Sequence, residues 1–444
     1  MSAPAEGAPE AAAEGASPEA DGIRQETMTV RTLLKTLLSP LARWHLCVGR
    51  SPRKAPPHSI ILFPADETRL CCGIAGILAV KGAPAPAAVD AGSNLARCFA
   101  EIRRAPLSQV IAGRTRPEGY LSGESPLREA ERDLLLLKQE TPFRTLFFDP
   151  GKTSALRALV SETAAFLAAE ESLLEAEAGR FTTAQMETIT SRLILLKDIL
   201  WGLEKDLLAN IEKILHLAAA ERVEEITPES LVKFARVNVL LNAIDRLEVR
   251  GRDSAGLQVS LTIRDRETLG RIIEEIRRQG LHDEFRRRSV ERDLMNGTIL
   301  VADHVHADGG IWLSFVYKTA SIIGKLGENV CRLREAIRAD RVFHAFAREA
   351  AISESVFAHT RWASVGSITE ANCHPISGYS LCAPGSDGQI PPAGLCSIPE
   401  PIAEKLADGS PPGTKFYPAY GPGCWTLSVV LNGDIDNYPM LRSL

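Results

Sequence analysis

The sequence predicts a layered fold of α and β elements, and three observations carry that prediction. Short apolar runs bounded by turn residues, or alternating with period two, recur along the chain as strand candidates. Long apolar stripes of helical period fill much of the remainder. The two kinds interleave without the regular βαβ spacing of a doubly wound sheet, so an α+β layering fits better. With 45% apolar residues in 444, the chain can build a real core.

Residues 1–27 are rich in Ala, Glu, Pro and Gly, too poor in apolar surface to offset ordering entropy, and are expected to be disordered. The chain to Leu70 is then basic and broken by prolines, with one apolar patch, SIILFP. CCGIAGILAV (71–80) reads as a buried strand with a thiol at its mouth. A long helical region follows over 82–226. In it Met186, Ile189, Leu193, Leu196, Leu200, Leu203, Leu207, Ile211 and Ile214 form one stripe, and the preceding LLEAEAGRF turns back as the other arm of a hairpin. The stripe suits either packing within the chain or an oligomerisation or partner surface.

Thr227, Pro228 and Glu229 give the next helix a cap, a first-turn proline and an acid at the positive end of its dipole. Leu231, Phe234, Val237, Leu241 and Ile244 are its buried face, and Gly251 marks its stop. Leu257, Val259, Leu261 and Ile263 alternate as a half-buried strand. Further strands are expected in TILVADHV, GIWLSFVYK, SVFAHTR and WTLSVVLN.

Composition excludes some functions. A net charge of −5 argues against a general binder of nucleic-acid backbones, and basic runs such as FRRRSVER read as solvated helix faces. No apolar run approaches the eighteen or so residues of a membrane span. The N-terminus lacks the basic and apolar regions of a secretory signal, and nine scattered cysteines suit a reducing compartment. The expectation is a cytoplasmic protein.

Four segments join glycine or a small residue to a polar group at a strand end: CGIAG (72–76), RLEVRGRDSAGL (246–257), HTRWASVGSITEANCHP (359–375) and LNGDIDNY (431–438). Taken together and in this order they resemble the class II, N-terminal-nucleophile glutamine amidotransferases. Within these, HTRWAS, NCHP and RLEVRGRDSAGL look most like the glutaminase domain of the enzymes that convert fructose 6-phosphate to glucosamine 6-phosphate. Amidophosphoribosyltransferases share the first and last segments but usually lack the HTRW wording.

The resemblance implies an αββα N-terminal-nucleophile sandwich, incomplete here. It would comprise 72–444 after a propeptide-like extension at 1–71, interrupted by a helical insertion at 82–226 and an α/β insertion at 264–320. It implies glutamine as substrate, no cofactor, no metal, no nucleic-acid or membrane partner, and room for a homo-oligomer. Cys72 would be the nucleophile that forms a glutamyl thioester, with its own α-amino group as base, so a cut before Cys72 is required. Asn432, through its side-chain amide, and Gly433, through its backbone N–H, would form the oxyanion hole, a donor of that sort contributing on the order of 3 kcal/mol. Arg361 would clamp the α-carboxylate of glutamine in a forked pair of hydrogen bonds. Ser364 would keep a hydroxyl beside the substrate, Arg250 and the following DSAG turn would order the loop near the nucleophile, and Trp362 would help gate the site. A tryptophan at a strand end is also commonly a core residue.

Departures from the family pattern bear on this reading. Val365 replaces a commonly polar residue and removes a contact to glutamine, so weaker affinity is expected. The chain ends soon after NGDIDNY, where the family continues with the rest of the sandwich and a sugar isomerase domain, so fructose 6-phosphate would be met through a domain not in this chain. A non-catalytic relic used for assembly is the reading from a different class. Two other motifs are set aside. HVHAD (304–308) puts two histidines on one strand face with no further ligand set, and DPGKTS (149–154) lacks the first glycine of a phosphate loop.

Overall fold

A computed structural model describes residues 58–62, 73–80, 91–290, 295–302, 310–320, 325–363, 367–381 and 425–430. Their architecture is mixed α and β. The segment expected to be disordered, 1–27, and the HVHAD motif lie outside the described residues.

Eight strands are described: β1 (His58–Leu62), β2 (Gly73–Val80), β3 (Ser254–Ile263), β4 (Ile299–Ala302), β5 (Ile311–Ala320), β6 (Ala351–Arg361), β7 (Ile376–Leu381) and β8 (Trp425–Val429). Each strand expected from sequence is among them, and SIILFP lies largely in β1. Six strands form one sheet in the order β1-β2-β6-β3-β5-β4, antiparallel throughout, while β7 and β8 pair in a second. Residues 264–320, expected as an insertion, supply the two strands that extend the sheet beyond β3.

β3 was expected to be half-buried, but all ten of its residues are buried. The reason is its central place: β6 and β5 flank it along its full length. Its apolar face enters the core through Leu257, Val259, Leu261 and Ile263. Its polar face is buried as well and is bonded side chain to side chain at several points. Gln258 Nε2 donates to Ser314 Oγ at 2.6 Å, Ser260 Oγ to the same oxygen at 3.1 Å, and Ser353 Oγ to Thr262 Oγ1 at 2.8 Å.

Helices fill 91–247: α1 (Ala91–Ile102), α2 (Leu107–Ile111), α3 (Ser125–Leu137), α4 (Glu140–Phe147), α5 (Pro150–Glu177), α6 (Thr183–Trp201), α7 (Ala209–Leu217) and α8 (Pro228–Leu247). The hairpin of α5 and α6 forms as expected. Thr182 starts α6 with a reciprocal cap, accepting from Gln185 N–H at 3.4 Å while its own N–H donates to Gln185 Oε1 at 2.9 Å. A π-helical stretch, Gly202–Leu208, carries the stripe from α6 into α7. From Ile189 to Ile214 the stripe is buried, and Met186 packs partly against it. α3 and α5 cover it, so the stripe is used within the chain. DPGKTS starts α5, where Asp149 Oδ1 accepts from Lys152 N–H at 2.9 Å as a helix cap.

α8 connects the helices to the sheet. Thr227 Oγ1 caps it by accepting from Ser230 N–H at 3.1 Å, and Pro228 occupies its first turn. Leu231, Phe234, Val237, Leu241 and Ile244 are buried as the sequence predicts, against β2, β6 and α7. Each such side chain contributes roughly 1.5–3 kcal/mol of transfer free energy. Four more helices follow: α9 (Arg266–Arg278), α10 (His282–Val290), α11 (Glu328–Ala339) and α12 (Arg341–Ala347). Phe343 of α12 meets Phe234 of α8 and Phe315 of β5 edge-on, with centroids 5.6 and 5.1 Å apart.

One basic run departs from expectation. Arg288, in FRRRSVER, turns inward and pairs with the buried carboxylate of Asp340, which also accepts from Tyr317 Oη at 2.8 Å and caps α12 through Phe343 N–H at 2.9 Å. A guanidinium on a helix surface becomes a core group when a buried carboxylate faces it.

Candidate functional site at one end of the sheet

Three of the four motif segments meet at one end of the large sheet because the strand order β2-β6-β3 makes them neighbours. β2 starts at Gly73, which pairs with Thr360. β6 ends at Arg361, which pairs with Ser254, the first residue of β3. Gly73 N–H also donates to Thr360 Oγ1 at 3.2 Å. A Cβ at Gly73 would lie 2.6 Å from Leu247 Cβ and 2.9 Å from Thr360 Oγ1, so the start of β2 needs glycine.

The loop before β3 is tied to the end of β6 twice. Asp253 N–H donates to the Arg361 carbonyl at 3.0 Å, and Asp253 Oδ2 accepts from Ala363 N–H at 2.6 Å. Gly251 lies so close that a Cβ there would come 2.8 Å from the Arg361 carbonyl carbon. Sequence reasoning grouped Asp253 with the DSAG turn but missed its bond to Ala363. A carboxylate next to Gly-rich, turn-forming residues was the available signal.

The same loop is held from behind by the start of α11. The Glu248 carboxylate is fully buried and accepts from Gly327 N–H, while Asn329 Nδ2 donates to the Arg252 carbonyl at 2.8 Å. Burial raises the pKa of Glu248, and the N–H groups of Gly327, Val330 and Asn329 pull it down. Glu248 and Asn329 were missed in the sequence, since a single buried polar residue leaves no periodic trace.

The sequence-predicted residues divide as follows. Arg361 is the last residue of β6, half-buried, with Nη1 donating to the Ser367 carbonyl at 3.1 Å. Trp362 follows it and is 42% exposed, which removes the core reading and leaves the indole at the surface of this sheet end. Arg250 closes the 3₁₀ turn Glu248–Arg250 that leads into the loop. Cys72, Ser364, Asn432 and Gly433 lie outside the described residues, as do Cys71 and Val365.

The NCHP segment lies on the polar face of β3. A Cβ at Gly256 would come 1.9 Å from the His374 carbonyl oxygen and 3.3 Å from Cys373 Sγ. The rings of His374 and His359 stand 4.4 Å apart, with His374 Nδ1 and His359 Nε2 at 3.4 Å. Both histidines fall inside quoted motifs, but only the tertiary structure pairs them. Burial pushes the Cys373 thiol up to about 11, so it stays protonated near neutrality and is a poor nucleophile. Cys98, likewise raised by burial to about 11, is no better suited.

Among the described residues no group of three or more His, Cys, Asp or Glu side chains is placed to hold a metal ion, and no helix is long and apolar enough to cross a membrane. Comparison with known proteins returned no family model, no curated protein and no solved structure that matches the chain.

Proposed function

We propose that the chain is a glutamine amidotransferase of the N-terminal-nucleophile class, hydrolysing glutamine to glutamate and ammonia. One observation carries the reading: the strand that follows Cys72 in sequence, the strand that ends in Arg361 and the strand opened by RGRDSAG are neighbours, in register, at one sheet end. Residues drawn from positions 73, 254 and 361 are brought together by an antiparallel order that sequence proximity does not favour. The fold under this reading is the αββα sandwich of that class.

In the proposed reaction the Cys72 thiol gives its proton to its own α-amino group, and the thiolate attacks the side-chain amide carbon of glutamine. The C–N bond breaks, ammonia leaves with the proton, and water then hydrolyses the thioester to glutamate. Asn432 and Gly433 stabilise the oxyanion, Arg361 holds the α-carboxylate, Ser364 and Trp362 line the substrate, and Arg250 orders the loop. The HTRW wording favours fructose 6-phosphate as the eventual nitrogen acceptor. The proposed setting is cytoplasmic.

The test is glutamate release by protein whose N-terminus has been shown, by intact mass and sequencing, to be Cys72. Release should vanish with Cys72→Ala and persist in a Cys71→Ala precursor that is processed normally. Glutaminase activity that survives Cys72→Ala removes the nucleophile assignment.

A further inference from the structure

Away from this sheet end, α7, α8 and α11 meet around five polar side chains that the proposed function does not use. Lys213 Nζ donates to Asn242 Oδ1 at 2.9 Å. Arg334 donates from Nη2 to that same oxygen at 2.9 Å and from Nη1 to Asn238 Oδ1 at 2.9 Å. Asn238 and Asn242 each donate through Nδ2 to Asn210 Oδ1, at 2.8 and 2.9 Å. One shared acceptor oxygen therefore holds two positive heads side by side.

The oxygens that accept from these two cations are all neutral. Among the described residues neither Lys213 nor Arg334 forms an ion pair. Asp245 acts on both from longer range, and Asp206 is committed to Lys138 at 2.9 Å and Arg246 at 3.0 Å. Arg246 adds a further positive charge and Cys331 borders Arg334. Burial lowers the pKa of both cations, and the charge of Arg334 lowers that of Lys213 further. Donors are in excess: an ammonium has three and a guanidinium five, and one and two of these are used here. Both residues are partly exposed.

We propose that this cluster binds a phosphate group, carried either by free phosphate or by a phosphate monoester. Two adjacent cations match the charge of a phosphate dianion, whereas a carboxylate would neutralise one of them. The guanidinium fork engages two oxygens and the ammonium a third, while Asn238 and Asn242 keep both heads in place. The anion removes the repulsion between Lys213 and Arg334, so binding stabilises the junction of three helices.

The experiment follows the thermal midpoint of the full chain as inorganic phosphate, or separately glycerol phosphate, is added, with ionic strength held constant by sodium chloride. The midpoint should rise with phosphate beyond the chloride control. Lys213→Met, which keeps the apolar stem, should weaken the response about tenfold in phosphate concentration, and Lys213→Arg should retain it. A rise with both compounds assigns the phosphate group itself; a rise with only one assigns that source. No rise beyond the chloride control, or a rise that Lys213→Met leaves unchanged, overturns the proposal.

Discussion

The carbonyl oxygen of His374 sits over Gly256 so closely that a Cβ there would lie 1.9 Å from it. Backbone meets backbone at this point, and neither side has a flexible end that can give way. Gly256→Ala must therefore push the NCHP segment off β3 or distort the central strand. The expected cost is about 2 kcal/mol or more, read as a lower urea midpoint with an unchanged slope. An alanine variant as stable as the parent would show that the two segments are not in contact.

Asp253 joins the loop before β3 to the residue after Trp362 through its bond to Ala363 N–H. Asp253→Ala leaves that N–H without its acceptor and should cost about 1–3 kcal/mol, whereas Asp253→Asn keeps an acceptor oxygen and should cost less. If the amidotransferase reading holds, glutamate release should fall in the same order. Equal thermal midpoints for the two variants would separate Asp253 from the fold of this sheet end.

The Arg288–Asp340 pair is a stability element with a pH signature. Burial pushes the Asp340 carboxyl up, but Arg288, Phe343 N–H and Tyr317 pull it down further, leaving it below the ordinary range. A depressed carboxyl contributes stability above its unfolded value of about 3.9, which is lost as pH falls through the folded value. Asp340→Asn should cost about 3–5 kcal/mol near neutrality, because it leaves a buried guanidinium unpaired. The variant should also lack the part of the acid loss that Asp340 carries, measured as stability against pH from 2 to 6, a range set by those carboxyl values.

Glu248 gives the opposite sign. Burial raises its pKa, so its contribution is fully present below the unfolded value and is lost as pH rises through the folded one. Glu248→Gln removes the buried charge and keeps an oxygen for Gly327 N–H. It should be at least as stable as the parent at neutral pH and flatter in its dependence across the carboxylate range. A marked loss of stability in the variant would show that the charge itself holds the start of α11.

Most strands and the capped start of α8 were legible in the sequence because they depend on neighbours a few residues apart. Thr227 and Pro228 start α8, and the strand candidates fall where strands are, since caps and periodicity act locally. The fate of exposed-looking groups was not legible. Arg288 reads as a solvated arginine until Asp340, 52 positions later, is folded against it. The stripe from Ile189 to Ile214 leaves a partner surface open as a reading until α3 and α5 cover it.

The candidate site divides along the same line. By itself the sequence determined which residue types stand at strand ends, because motif wording and turn chemistry are local. Only the tertiary structure decided that β2, β6 and β3 are adjacent, that Asp253 reaches Ala363 and that His359 faces His374. Pairing between strands as far apart as Gly73 and Thr360 is set by burial and backbone hydrogen bonding summed over the whole sheet, and no short stretch of chain encodes that sum.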